Sequence, residues 1–177
     1  MIASNHKKMI FSAMLLALSY VLPFLTGQIQ QIGNMLCPMH LPVILCGFIC
    51  GWQWGLVVGL VAPLLRSLTL GMPPLFPLAI SMSVELMVYG AVSGLLYKLF
   101  PKKRIYIYLS LVCAMICGRI AWGAVRFMLS GFDSTAFSPS MFISGAVTTA
   151  IPGIVIQLVL VPLVVMLAQK AEYKHTI

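Results

Sequence analysis

Of 177 residues, 61% are hydrophobic and 8% are charged, with eleven basic side chains against three acidic ones for a formal net charge of +8. Soluble globular chains carry roughly a quarter charged residues, so a mean hydropathy of +1.05 places this chain among integral membrane proteins. The basic residues gather at the ends of apolar runs and form no stripe interleaved with exposed aromatics, so nucleic acid is not implied as a partner.

At about 20 apolar residues per span, the chain has room for six helices and no separate soluble domain. The expectation is an all-α integral membrane protein with a single domain over 1–177. The first apolar run, 9–26, follows Lys7 and Lys8 like the core of a signal peptide. Further spans follow it, and no small-x-small cleavage site precedes a soluble domain, so it reads as the first transmembrane helix. After the polar break "GQIQQIGN" (27–34) come two short spans, 38–51 and 52–68, joined by a tight turn at Gly51 to Trp54. Gly47, Gly51, Gly55 and Gly59 recur every four residues across them, a spacing that lets helix backbones approach closely in lipid and reads first as packing.

"PLLRSLTLGMPPLFP" (63–77) ends the third span and turns into the fourth, 76–97; its prolines and Gly71 suggest a shaped loop over a cavity, with Gly71 as a hinge. "KLFPKKR" closes the fourth span with a proline and four basic residues. The fifth span covers 105–129, the polar stretch "SGFDSTAFSPS" follows, and the sixth runs over 141–168 with Pro152 and Pro162 expected to kink it. Five cysteines form no CxxC; Cys46/Cys50 and Cys113/Cys117 are helical i,i+4 pairs within apolar runs and read as small buried hydrophobes.

Six spans place Lys7 and Lys8, the cluster from Lys98 to Arg104, and Lys170 with Lys174 on one side, while the loops after spans one, three and five carry no Lys or Arg. This is the positive-inside pattern, and it puts both termini in the cytoplasm. Trp52, Trp54, Tyr106 and Tyr108 then fall at the inner interface as anchors.

Topology locates the rare polar residues. Glu85 lies about nine residues, or roughly 13 Å, below the outer start of span four, and Arg119 about ten residues, or roughly 15 Å, from the outer end of span five. The depths match, so the two are expected to pair. Arg126 lies two turns from Arg119 on the same face, with Trp122 between them as a stacking surface. Arg66 and His40 sit near the outer ends of spans three and two. One Glu among three arginines leaves surplus positive charge, and guanidinium suits a carboxylate or phosphate. Alternatives stay open: Arg66 and Arg126 as snorkelling residues, Arg119 as a purely structural partner of Glu85, His40 as a hydrogen-bonded helix-start residue, Gln157 as interhelical glue.

Enzymatic chemistry has little to work with. The sequence holds no GxxxxGK[ST], HExxH or GxSxG, and only Glu85 and Asp133 precede the tail as acids, so no cofactor or metal is expected. No ring of like residues marks a channel. A chain this small without a visible inverted repeat fits a membrane binding protein for an organic solute that works with a partner, rather than a self-sufficient carrier.

Six spans in this length, "AMLLA" (13–17), and the block 32–97 from "IGNMLCPMHLP" to "AVSGLLY" resemble the substrate-binding S components of energy-coupling factor (ECF) vitamin transporters. The resemblance implies a vitamin site at the outward side, a membrane coupling subunit contacted through the small-residue face of span one, two ATPase subunits driving uptake, and residence in a bacterial plasma membrane. Ala13 and Ala17 match the contact motif. The block is most similar to S components assigned to pantothenate, an anion with an amide and two hydroxyls. On that resemblance His40, Arg66, Glu85, Tyr89, Arg119, Trp122, Arg126, Asn34 and Gln157 are the candidate substrate-binding residues. Another water-soluble vitamin or precursor, pyridoxine-like or hydroxymethylpyrimidine-like, and a stand-alone solute carrier are the alternatives.

Overall fold

The computed structural model describes residues 5–26, 38–101, 103–130 and 151–174. They form α1 (Asn5–Val21) with a 3₁₀ turn at Leu22–Thr26, α2 (His40–Cys50), α3 (Trp52–Leu70), α4 (Ile80–Leu99) entered through a wide turn at Leu75–Ala79, α5 (Arg104–Ser130) and α6 (Ile151–Lys174). These elements overlie the six sequence-read spans within a few residues, except that 141–150 lie outside the described residues. Among the described residues, five helices are long and apolar enough to cross a membrane. The sixth, α2, has 11 residues, a length of roughly 16 Å that falls short of the hydrocarbon core. Neighbouring helices cover α2 almost completely: all of it but Leu41 and Ile49 is buried. A helix apolar on every side is stable where protein surrounds it on every side.

One residue separates α2 from α3. Gly51 adopts φ 104°, ψ 166°, a conformation open almost only to glycine, and its N–H still closes α2 on Gly47 O at 3.1 Å. Gly71 ends α3 in the left-handed conformation at φ 68°, with its N–H on Ser67 O at 2.9 Å. That is the glycine helix stop, and Pro73 and Pro74 beyond it prevent resumption of the helix. Phe76 is extended inside the turn that follows.

Helix α4 is the centre of the bundle and packs on α3, α5 and α2. Its contact with α2 and α3 runs backbone to backbone. A Cβ built on Gly55 would lie 2.6 Å from Gly90 O and 2.8 Å from Gly47 Cα, and one on Gly94 would lie 2.6 Å from Trp52 N. Three of the four glycines noted in the sequence, Gly47, Gly55 and Gly59, therefore form a three-helix seam with Gly90 and Gly94 on α4, so the packing reading holds for them, whereas a Cβ on Gly51 would meet nothing and that residue serves the turn. The outlying helix is α1, which rests on α2 and α3 and is the least buried of the five long helices. Its inward contacts include Ser12 and Ser19, and Ser12 Oγ receives the Cys46 thiol at 3.5 Å. The described cysteines are free.

All of the described basic clusters lie at one end. Lys8 of α1 and Lys98 of α4 border the same cleft, Lys103 and Arg104 follow directly after α4, and Gln169 of α6 hydrogen-bonds the Tyr97 hydroxyl there. The ends of α1 and α6 nearest the chain termini thus share a side of the bundle.

The seam gives a direct test. Gly90→Val should displace backbone on α3 and cost at least about 1–3 kcal/mol, the range typical of overpacking, read as a clear drop in thermal unfolding temperature in detergent. Gly71→Asn, which keeps the left-handed conformation available in open space, should change it little.

Candidate functional site

The site begins with the three-residue contact that anchors the interior. Glu85 lies in the second turn of α4, 2% exposed. Its Oε1 is 3.0 Å from Arg119 Nη1 on α5, so the pairing expected from matched depth is present, and 3.5 Å from His40 Nε2 on α2. The second contact is an ion pair only when the imidazole is protonated. One turn beyond Glu85, Tyr89 brings its ring edge-on to His40, with centroids 5.2 Å apart and planes at 72°. The other side of Tyr89 lies on Gly118: a Cβ there would stand 3.1 Å from the ring. Residues 118 and 119 thus act together, the first making room for the aromatic and the second meeting the carboxylate.

This arrangement follows from where each residue sits. His40 opens α2 beside Pro42, so its side chain projects from a helix start against Glu85 and Tyr89 of α4 and is 2% exposed. Glu85 and Tyr89 are four apart and share one face of α4. Arg119 keeps a 15% exposed side chain, and its guanidinium has more donors than Glu85 Oε1 uses. His40 Nδ1 has no hydrogen-bond partner among the described residues, and neither has Oε1 of Gln157, which is 1% exposed on α6. Buried polar atoms of this kind cost about 1–3 kcal/mol each when left unmet, and they are groups that an incoming polar molecule can satisfy.

The structure therefore brings together His40, Glu85, Tyr89 and Arg119. Trp122 and Arg126 continue along α5, both half-buried. Arg66 is elsewhere. It is 5% exposed, gives Nη1 to Tyr20 O at 3.1 Å, and lies 5.4 Å over the Phe24 ring. Tyr20 and Thr69 add a hydroxyl contact at 3.0 Å, so the C-terminal end of α3 is tied to the C-terminal end of α1. Asn34 and Asp133 lie outside the described residues. Sequence reading missed Tyr20, Phe24 and Gly118; only Gly118, a glycine adjoining an intramembrane arginine, carried a usable signal.

Among the described residues no group of His, Cys, Asp or Glu could hold a metal ion. The cluster combines a carboxylate matched by a guanidinium with an imidazole and a phenol, groups whose chemistry suits hydrogen bonding to a polar solute.

The family model described as "ECF transporter, substrate-specific component" matches residues 7–165. The chain belongs to this family. Among curated proteins and solved structures, none matches it. S components are transporter subunits rather than enzymes, which agrees with the lack of catalytic motifs, and the family places this chain as a multi-pass membrane protein that binds a small-molecule substrate and works with ECF module subunits.

Breaking a buried pair on one side costs about 3–5 kcal/mol, whereas replacing both partners is far milder. Glu85→Ala is accordingly expected to lower the unfolding temperature of the S component more than the double variant Glu85→Ala/Arg119→Met does. Additive losses in this cycle would show that the two side chains are not coupled.

Proposed function

We propose that this S component is the high-affinity vitamin-binding subunit of an ATP-driven ECF uptake transporter, with six spans, both termini in the cytoplasm and pantothenate as its substrate. The observation that carries the ligand class is the charge distribution along α5. Arg119 and Arg126 stand two turns, about 10 Å, apart on one face of α5, with Glu85 beside the first of them, while Arg66 meets Tyr20 and Phe24 elsewhere. A ligand with a carboxylate at one end and hydroxyl donors at the other matches this polarity: the carboxylate on Arg126, the hydroxyls toward Glu85, His40 and Gln157, and the chain along Trp122 and Tyr89. The carboxylate of the ligand gains a bidentate, charge-assisted contact. Asn34 belongs to the same proposed set on the strength of the sequence.

The positive-inside distribution supports the orientation, and the location of the described basic clusters at one end of the bundle agrees with it. In this orientation the His40 end faces outward. The short α2 crosses as part of a protein-enclosed core. Arg66, in this reading, holds the outer wall of the site by fixing α3 to α1 beside the turn at 71–79.

A second reading rests on Glu85 itself. A buried carboxylate beside an imidazole and an aromatic edge also suits a ring with amino or hydroxyl donors, of pyridoxine or hydroxymethylpyrimidine type, stacked on Trp122.

For the partner surface we assign Ala13 and Ala17 on α1, both exposed in a helix whose outer face is otherwise Met9, Ile10, Met14, Leu18 and Val21. Small residues four apart permit close and reversible helix contact, suited to a membrane coupling subunit driven by two ATPase subunits while the whole S component topples to carry its site inward.

Radiolabelled pantothenate should bind the purified protein saturably, and Arg126→Gln should weaken it by one to two orders of magnitude, about 1.5–3 kcal/mol; absence of saturable binding overturns the pantothenate assignment and leaves the ring-type vitamins to be tried. Uptake into proteoliposomes should require ATP and co-reconstituted coupling and ATPase subunits. Ala13→Trp should impair assembly with them while solitary vitamin binding stays near normal.

A further inference from the structure

At the lysine-rich end, away from the His40 cluster, α1, the α2–α3 junction and the last turns of α4 enclose an open cleft of about 250 Å³. Lys8 and Lys98 border it from two different helices, Trp52 and Tyr97 form aromatic walls, and Gly51 and Gly94 leave its floor without side chains. No acidic residue lines it, and among the described residues neither lysine makes an ion pair. Two ammonium groups facing one cleft whose described lining carries no counter-charge are complementary to an anion. Tyr97 adds a donor: it is 4% exposed and accepts a hydrogen bond from Gln169 Nε2, which leaves its own O–H hydrogen to give. The remaining surface is apolar, with Phe48 and Ile49 continuing the lining toward the membrane interior.

We infer that this cleft is a binding site for an anionic phospholipid, its phosphate held between Lys8 and Lys98 and the top of an acyl chain laid along Trp52. The volume is below that of pockets that enclose drug-sized ligands and suits a headgroup phosphate with the first part of its chain. Basic pockets between helices at the cytoplasmic interface are where anionic headgroups bind, and an indole at this depth packs its apolar body on lipid. A free soluble anion would use the lysines but not the apolar wall. The site rests on the bilayer-spanning reading and on nothing about the vitamin: its readout is lipid alone, so a failed pantothenate assignment leaves it standing.

The test uses the full-length protein in nanodiscs, with Trp54→Phe and Trp122→Phe leaving Trp52 as the sole indole. Acyl-brominated phosphatidylglycerol should quench Trp52 with an apparent association about tenfold stronger than brominated phosphatidylcholine at the same mole fraction, and high salt should reduce the preference. Lys8→Gln/Lys98→Gln should bring the ratio close to one with the unfolding temperature retained. Lys98→Gln alone, at an exposed helix end, should lower it about threefold and serves where the double variant does not fold. Equal quenching by both lipids, a preference that survives the substitutions, or displacement by millimolar inorganic phosphate would each overturn the lipid site; the last would make it a soluble-anion site instead.

Discussion

A carboxylate inside a helix bundle in lipid must have its charge met, because an isolated one costs several kcal/mol or is not tolerated at all. Glu85 is that group. Its position in α4 requires a cation at its depth on α5, supplied by Arg119, and a third polar group on α2, supplied by His40. The relative heights of three helices are thereby constrained by one side chain. Tyr89 and Gly118 fit the same constraint, since the ring fills the space that a larger residue at 118 would occupy. The interior polar site and the packing of α2, α4 and α5 are thus a single arrangement.

The glycine seam supplies the complementary constraint. Lipid offers no hydrophobic drive for helices to associate, so close packing and polar contacts have to hold them. Gly47, Gly55, Gly59, Gly90 and Gly94 bring α2 and α3 into backbone contact with α4, where dispersion is densest. The shortness of α2 then has a physical reason: a helix enclosed by protein need not match the bilayer, and its roughly 16 Å serve to connect the His40 cluster to the turn at Gly51.

Much of this was legible in the sequence, and the reasons are specific. Apolar run length gave the helices because hydrocarbon tolerates few alternatives. The Glu85–Arg119 pair followed from depth arithmetic, since two buried opposite charges at equal height have strong reason to meet. The four-residue glycine period announced the seam but not its partner helix, because Gly90 and Gly94 belong to a different span and periodicity is local. His40 was recognised as a candidate without its contact to Glu85, and Arg66 without Tyr20 or Phe24. Both partners are distant in sequence, and Arg66 donates to a backbone carbonyl, a group every residue carries. Tertiary contacts of that kind leave no residue-type signature.

The distribution of tight and loose packing also bears on how such a subunit works. The seam and the Glu85 cluster bind α2, α3, α4 and α5 into one body, so rearrangement within it would require backbone overlap or an unpaired charge. Contacts that are easier to change lie at its margins: α1, exposed along most of its length, and the 71–79 turn, where Met72, Leu75 and Phe76 lie exposed. Arg66 sits between these two margins and joins them. Movement of the turn that reaches the end of α3 is therefore felt at Tyr20 and along α1, on the face that carries Ala13 and Ala17. One buried guanidinium thus joins the end of α3, beside the exposed turn, to the most exposed helix of the bundle, and it is the shortest physical route by which a displacement of the turn reaches α1.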